Sequence, residues 1–417
     1  MRGEFQRAWN GYKRFAWGKD ELRPVSRTGR DWYAHTLYMT PVDALDTMML
    51  MGLDEESRAT REFLAGHLSF DLDIEVKNFE ITIRELGGLL SAYQLSHDRR
   101  LLALAENLGT RLLPVFESPT GMPYMYVNLK TGKVRGSRSN PAEIGTLILE
   151  FGTLSKLTGR PVFFDKAKRA LVALYERRAP ATGLVGEEID VESGRWTGTL
   201  SHVGGGIDSY YEYLLKCERL FGDPECAAMW RTSVGAINRY LARDDPKGGL
   251  WYGVSEMATG RSTASTYGAL QAFWPAVLAL GGDLDRARRL QDSGFRMWSL
   301  HGIEPEELDY STMAVLSPGY QLRPEVIESA WYLHRLTGDE RYVQMGRTFF
   351  DALRERCRVD AGYTVLKSVV TMEKGDAQPS YFLAETLKYL YLLFDSKAPD
   401  LEHVVFNTEA HPLHRTW

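Results

Sequence analysis

The sequence predicts an all-α protein in one domain spanning residues 1–417, and three observations carry that expectation. Apolar residues recur at helical spacing in segments 41–52, 80–96, 141–157, 207–220, 265–280, 325–336 and 379–394. No Pro-rich or Ser-rich linker and no low-complexity tract divides the chain. An all-helical domain of this length must bury each apolar stripe against neighbours, in a solenoid or in a closed ring of helical hairpins. No strong internal repeat supports the solenoid, so the ring is the expected arrangement.

Between the helices, segments such as Ser118-Pro-Thr-Gly-Met-Pro and Ser317-Pro-Gly-Tyr carry turn-forming residues. Residues 121–132 and 250–254 combine β-favouring aromatics with turn residues and predict short β-hairpins.

Composition narrows the function classes. Hydrophobic residues at 44% and charged residues at 25% are the balance of a globular protein with a sizeable core, which excludes disorder. The formal net charge of -5, spread without runs of one sign, leaves no basic footprint for nucleic acid or anionic lipid. A neutral polar substrate fits better, and the 10 Trp and 21 Tyr supply rings on which sugars stack, although most aromatics serve the core. Cys217, Cys226 and Cys357 have no CxxC spacing, so a zinc cluster is not expected and one disulfide is the most they allow. The first residues enter an amphipathic pattern directly, so neither a signal peptide nor a membrane span is expected within these residues. A periplasmic or secreted location is expected if a leader was removed, and a cytoplasmic one otherwise.

Six motifs carry carboxylates or other oxygens in patterns that chemistry uses, and each also has a structural reading. Asp43 and Asp46 share one face of an apolar helix at i,i+3 spacing. Glu80 and Arg84 lie one turn apart in Phe79-Glu-Ile-Thr-Ile-Arg-Glu, where an ion pair is geometrically natural. An acid so placed has a lowered pKa, and a general-acid role needs burial or a second carboxylate to raise it.

Gly204-Gly-Gly-Ile-Asp208 reads as a flexible loop capped by Asp208. Leu322-Arg-Pro-Glu325-Val-Ile-Glu328 places two acids in a helix first turn after Pro324. Glu385 is an internal acid in the apolar run 379–394, where a paired structural role suffices. Val405-Phe-Asn-Thr408-Glu409-Ala-His411-Pro offers oxygens suited to a hard cation, since Thr408 has a hydroxyl and a carbonyl, but locally it reads as a tail. His411 and His414, in this Pro-interrupted stretch, read as surface residues.

The order of these motifs resembles glycoside hydrolase family 47 from end to end. The resemblance begins at Trp9-Asn-Gly-Tyr-Lys-Arg-Phe, runs through VDALDT, FEITIRELGGLLSAY, DSYYEYLLK, LRPEVIES and FLAETLKYLYLLF, and closes on FNTEAHPL. It implies an (α/α)7 barrel with short β-hairpins, one of which plugs the barrel. It implies an inverting, exo-acting, Ca²⁺-dependent α-1,2-mannosidase, acting on terminal mannose of mannose-rich glycans. A monomer without nucleic-acid or membrane partners is expected.

By the resemblance, Glu80 is similar to the family's general acid, Asp208 to a second acid-site carboxylate and Glu325 to the general base. Arg84, Glu143, Arg323, Glu328 and Glu409 are similar to residues that line the sugar or the ion's water shell, and Thr408 to the calcium ligand. Inversion requires an acid and a base across the sugar ring, roughly 6.5–9.5 Å apart.

Two positions depart from the family. Pro379 stands where many members have Glu, and Gly206 replaces an arginine that reads neighbouring sugars in endoplasmic-reticulum members. Tyr267-Gly-Ala-Leu-Gln-Ala-Phe-Trp-Pro is similar to the degradation-enhancing branch, and the few cysteines suggest a bacterial member. Alternatives are a mannose-glycan-binding lectin, a member with altered linkage specificity, or another helical-toroid glycosidase or lyase.

Overall fold

The computed structural model describes residues 1–245, 248–395 and 399–417. They group into two compact units. The first holds residues 1–31, 242–254 and the segment from 264 into the last long helix; the second holds Trp32–Leu241, Ser255–Thr263 and Pro399–Trp417.

The second unit is built from helix pairs that follow one another in the chain. Met39–Leu50 packs on Asp54–His67, Gly87–Ser96 on Arg99–Leu112, Ile148–Thr158 on Pro161–Glu176, and Asp208–Phe221 on Pro224–Tyr240. The first member of each pair is buried nearly all round and the second along one stripe, which sorts them into an inner and an outer set. In Met39–Leu50 every residue from Met39 to Met48 is buried, whereas Asp54–His67 buries only Ser57, Thr60 and Leu64 along one stripe. Inner helices also touch one another, Met39–Leu50 against Gly87–Ser96 and Ile148–Thr158 against Asp208–Phe221.

Short connections are sharpened by capping. Gly159 and Gly222 adopt the left-handed conformation after the inner helices, and Asp98 and Asp223 accept backbone N–H groups at the start of the outer ones. Cys217 and Cys226 form a disulfide across one such turn, while Cys357, in the first unit, is a buried thiol.

The first unit repeats the arrangement. Trp274–Leu280 packs on Leu284–Ser299 and Glu325–Thr337 on Arg341–Ala352. The last inner helix, Leu387–Phe394, is preceded by a π-helical turn at Phe382–Thr386 that meets the N-terminal helix Arg2–Phe15.

Three expectations are corrected. Segment 265–280 is not one helix: Thr266–Gly268 forms a strand paired with Glu307–Asp309, because Thr266 and Tyr267 suit a pleated edge and Gly268 stops it. Segment 141–157 breaks at Thr146 and Leu147, after Gly145, where a side chain would meet the Tyr210 ring at 2.4 Å. The hairpin expected at 121–132 lies further on, Tyr126–Asn128 pairing with Val134–Arg135, because Asn128 Oδ1 accepts the N–H groups of Lys130 and Thr131 and Gly132 takes a positive φ. The hairpin expected at 250–254 has Leu250–Tyr252 paired with Ala242–Asp244.

Candidate active site

The predicted acids other than Glu409 lie in the first turns of helices. In the second unit, Glu80 lies in the short helix Asn78–Ile81, which passes through a π-helical turn at Thr82–Leu86 into Gly87–Ser96. The wide turn carries Arg84, and such turns recur at functional sites. Arg84 Nε donates to Glu80 Oε2 at 3.0 Å, its Nη1 pairs with Glu409, and Asp43 Oδ2 stands 3.6 Å away. The guanidinium also lies over the Trp32 ring, 5.4 Å from its centroid. The i,i+4 pair read from the sequence is therefore one edge of a four-residue network.

Glu409 belongs to the C-terminal hairpin Val404–Phe406 with Pro412–His414. Its turn is organised by Asn407, whose Oδ1 accepts the N–H groups of Glu409 (3.0 Å) and His411 (2.7 Å). Asn407 Nδ2 donates to the Ile83 carbonyl and to Glu150 Oε1. Ala410 takes φ 60°, in the left-handed region, to close the turn. The hairpin approaches the helix closely because Gly87 and Gly88 have no side chains: a Cβ on Gly87 would lie 2.6 Å from Asn407 Nδ2.

His411, expected at the surface, is fully buried between two equally buried carboxylates. Its Nδ1 lies 2.7 Å from Asp46 Oδ2 and its Nε2 3.4 Å from Asp43 Oδ1. The i,i+3 spacing of Asp43 and Asp46 thus serves to clasp one imidazole. Burial raises the Glu409 carboxyl above the usual range, and Arg84 opposes the rise.

Glu143 and Asp208 form a second group with Glu80. Asn140 caps the helix Pro141–Gly145 through the Glu143 N–H, and the Ala142 N–H donates to the Gly206 carbonyl at 2.9 Å, which holds the glycine loop against this helix. Gly206 has φ 90°, a conformation that an arginine there would adopt only with strain.

Asp208 is the first helical residue of Asp208–Phe221 rather than its cap. Its Oδ1 accepts the Ser209 N–H at 2.7 Å, and Thr146 Oγ1 donates to Ser209 Oγ. Glu143 is nearly fully buried and pairs with Lys77 Nζ at 2.6 Å. Burial outweighs that pairing and lifts the Glu143 carboxyl to about 7, with Glu80 and Asp208 adding to the rise.

Thr408 stands at the hairpin turn, half-buried, with its N–H held by the Tyr213 hydroxyl at 3.2 Å, and Tyr213 donates to Glu150 at 2.6 Å. Among the described residues, no hydrogen bond reaches its hydroxyl or carbonyl oxygen. Two hard oxygens of one residue at a fixed turn fit a calcium ion that takes most of its ligands from water. Acid, His and Cys ligand atoms converge within 4.8 Å of one another at Cys217, Asp223 and Cys226, where the thiols are bridged, and at exposed Asp400, Glu402 and His403. Neither cluster includes Thr408.

The remaining predicted residues lie in the first unit. Leu322 is left-handed, φ 61°, so that the chain enters the helix Glu325–Thr337 through Arg323 and Pro324. Arg323 Nε and Nη2 donate to Glu306 at 2.9–3.2 Å. Tyr381 Oη donates to the Gln321 carbonyl and Thr386 Oγ1 to the Leu322 carbonyl, fixing this loop to the last inner helix. Glu328 is buried and accepts the Tyr389 hydroxyl at 3.2 Å. Glu325 occupies the first position of its helix, where the dipole favours its carboxylate.

Sequence reasoning passed over Lys77, Glu304 and Glu306, none of which stands in a pattern of its own, and it gave Asn407 no role within the motif that holds it. Glu385, read as structural, is buried in the π-helical turn Phe382–Thr386. An acid inside an otherwise apolar helix was the available signal.

The sequence matches the profile of Glycosyl hydrolase family 47 over residues 4–415. The chain belongs to this family. It is 40% identical to Alpha-mannosidase I MNS4 of Arabidopsis thaliana, over 99% of this chain and 69% of that protein. Against ER degradation-enhancing alpha-mannosidase-like protein 2 of Homo sapiens it is 37% identical, over 99% of this chain and 76% of that protein. An alpha-1,2-mannosidase from Trichoderma reesei has a solved structure that superposes with a TM-score of 0.91 at 28% identity, covering 99% of this chain and 97% of that one.

The fold class is therefore the family's all-α (α/α)7 barrel with short hairpins, and this family 47 chain is a glycoside hydrolase. No helix among the described residues is long and apolar enough to cross a membrane.

Proposed function

We propose that this family 47 chain is an inverting, exo-acting α-1,2-mannosidase that works as a monomer and removes terminal α-1,2-linked mannose from mannose-rich glycans. The supporting observation is positional: Glu80, Glu143 and Asp208 lie in the first turns of helices of the second unit, with Glu80 and Asp208 both acting on the Glu143 carboxyl, and Glu325 opens an inner helix of the first. Helix starts present carboxylates with directed backbone N–H groups behind them, the arrangement in which acid and base roles are set by neighbours.

Glu80 or Asp208, each beside another carboxylate, gives its proton to the glycosidic oxygen as the bond to the anomeric carbon breaks. Glu325 takes a proton from water, whose oxygen attacks the anomeric carbon from the opposite face and inverts it. Arg84 holds Glu80 and Glu409 in place, and Arg323, locked by Glu306, fixes the approach to Glu325. Thr408 would hold a Ca²⁺ ion through its hydroxyl and carbonyl oxygens, and such an ion supplies orientation and charge stabilisation to sugar hydroxyls.

The test is α-1,2-mannobiose hydrolysis followed by NMR, with α-1,3 and α-1,6 isomers alongside. β-Mannose is expected as the first product from the α-1,2 isomer alone. Initial α-mannose would overturn inversion, and binding without turnover would favour a lectin.

A further inference from the structure

Glu304 lies in Gly302-Ile-Glu-Pro-Glu306, just before the strand Glu307–Asp309. It is fully buried, and neither carboxyl oxygen has a hydrogen-bond partner among the described residues. The charged groups that face it are Glu325, Glu306 and Arg323. The phenols of Tyr267 and Tyr320 face both Glu304 and Glu325.

Most of these neighbours are engaged elsewhere. Arg323 and Glu306 are bound to each other, Glu306 also accepts the Gln321 N–H, and Tyr320 donates to the Arg323 carbonyl. Behind them, Tyr381 faces Arg323 and Cys357 faces Tyr320. Glu304 is therefore a fully buried carboxyl within electrostatic reach of the half-buried Glu325, and it has no bond of its own among the described residues.

A buried carboxyl without hydrogen bonds costs about 1–3 kcal/mol, and more when charged. Burial first, then the negative neighbours, push the Glu304 carboxyl well above the usual carboxylate range, and a fully buried carboxyl that no donor reaches favours its neutral form. That form has an O–H to donate, whereas a carboxylate only accepts.

We propose that Glu304 is a positioning residue that acts through Glu325, donating a hydrogen bond from its carboxyl to the carboxylate of the base in the substrate complex. The bond orients one oxygen of Glu325 and leaves the other for water. It also favours the ionised form of the base over the protonated one. This inference rests on the reading of Glu325 as the general base.

The experiment compares Glu304→Leu, Glu304→Gln and Glu325→Gln by pH profiles of kcat and kcat/KM on α-1,2-mannobiose, with thermal unfolding as the fold check. Glu304→Leu is expected to lower kcat about tenfold or more with KM little changed, and to move the acid limb of kcat/KM up by about one pH unit. Glu304→Gln, whose amide still donates, restores both. Should the leucine variant not fold, Glu304→Met makes the same comparison. A leucine variant with the wild-type profile, or a glutamine variant as impaired as the leucine one, overturns the inference. An active Glu325→Gln enzyme instead overturns the reading of the base, whatever Glu304 does.

Discussion

Lys77 Nζ lies 2.6 Å from Glu143 Oε1, the cation at the start of one helix meeting a buried carboxylate at the start of another. A pairing this close would ordinarily pull a carboxyl below its usual range. Glu143 instead sits at about 7, because its burial penalises the charge more than Lys77 rewards it.

The sign of the pH dependence follows. Glu143 binds its proton more tightly folded than unfolded, so its contribution is full below its ordinary pKa of 4.5 and is lost as pH rises through about 7. Glu143→Gln should flatten the fall in melting temperature between pH 5 and pH 8. Lys77→Met should steepen it, costing up to about 3 kcal/mol at pH 8 and little at pH 5. Equal losses for Lys77→Met at both pH values would show that packing, not charge, is what Lys77 supplies.

The clasp of His411 by Asp46 and Asp43 ties the C-terminal turn to the helix Met39–Leu50. All three side chains are buried, so removing one partner strands the others. Asp46→Ala and His411→Ala are each expected to destabilise by about 3–5 kcal/mol, with the double variant far less than additive. Denaturant melts of the set measure the coupling, and simple additivity would mean that the contact carries no energy.

What the sequence made legible was local. Apolar periodicity located the inner helices at 80–96, 207–220 and 325–336, because a helix buried on all sides leaves a dense pattern. The acids at their starts stood out for the same reason, being polar residues in apolar runs. Contacts between distant segments left no such trace. Lys77 and Glu143, or Glu304 and Glu325, are neighbours only through folding, and nothing at i,i+3 or i,i+4 marks them. His411 was misread because Pro412 suggested an irregular tail, whereas the proline opens the second strand of a hairpin. The strand at Thr266–Gly268 was hidden by the apolar helix that follows it.

Glu325→Gln should lose nearly all turnover while still binding mannobiose, since a base acts in the transition state rather than in recognition. Glu80→Gln and Asp208→Asn should both fall steeply, by about a hundredfold or more, if the two share the acid function. The measurement is kcat beside the Kd of a non-hydrolysed thiodisaccharide. If only one of the pair matters, the proton donor is that residue, and if Glu325→Gln turns over like wild type, Glu325 leaves the mechanism.

Calcium dependence is the part of the proposed function that Thr408 puts to the test. The Tyr213 hydroxyl holds its N–H, Asn407 before it fixes Glu409 and His411 after it, and among the described residues its two oxygens are the ones no protein donor reaches. A cation held this way has one protein residue in direct contact and depends on carboxylates beyond a layer of water, so its affinity responds to each of them. Pro379 supplies no carboxylate where the family resemblance leads one to expect Glu, which should leave the ion weaker without abolishing it. EDTA is therefore expected to remove activity at modest concentration and added Ca²⁺ to restore it. Thr408→Val, which keeps the carbonyl and loses the hydroxyl, should raise the calcium needed for half-maximal activity by about tenfold or more. Isothermal titration of the metal-free protein with Ca²⁺ reads the same loss without reference to turnover. Full activity in protein shown by elemental analysis to be metal-free would remove calcium from the mechanism and leave the carboxylates standing alone.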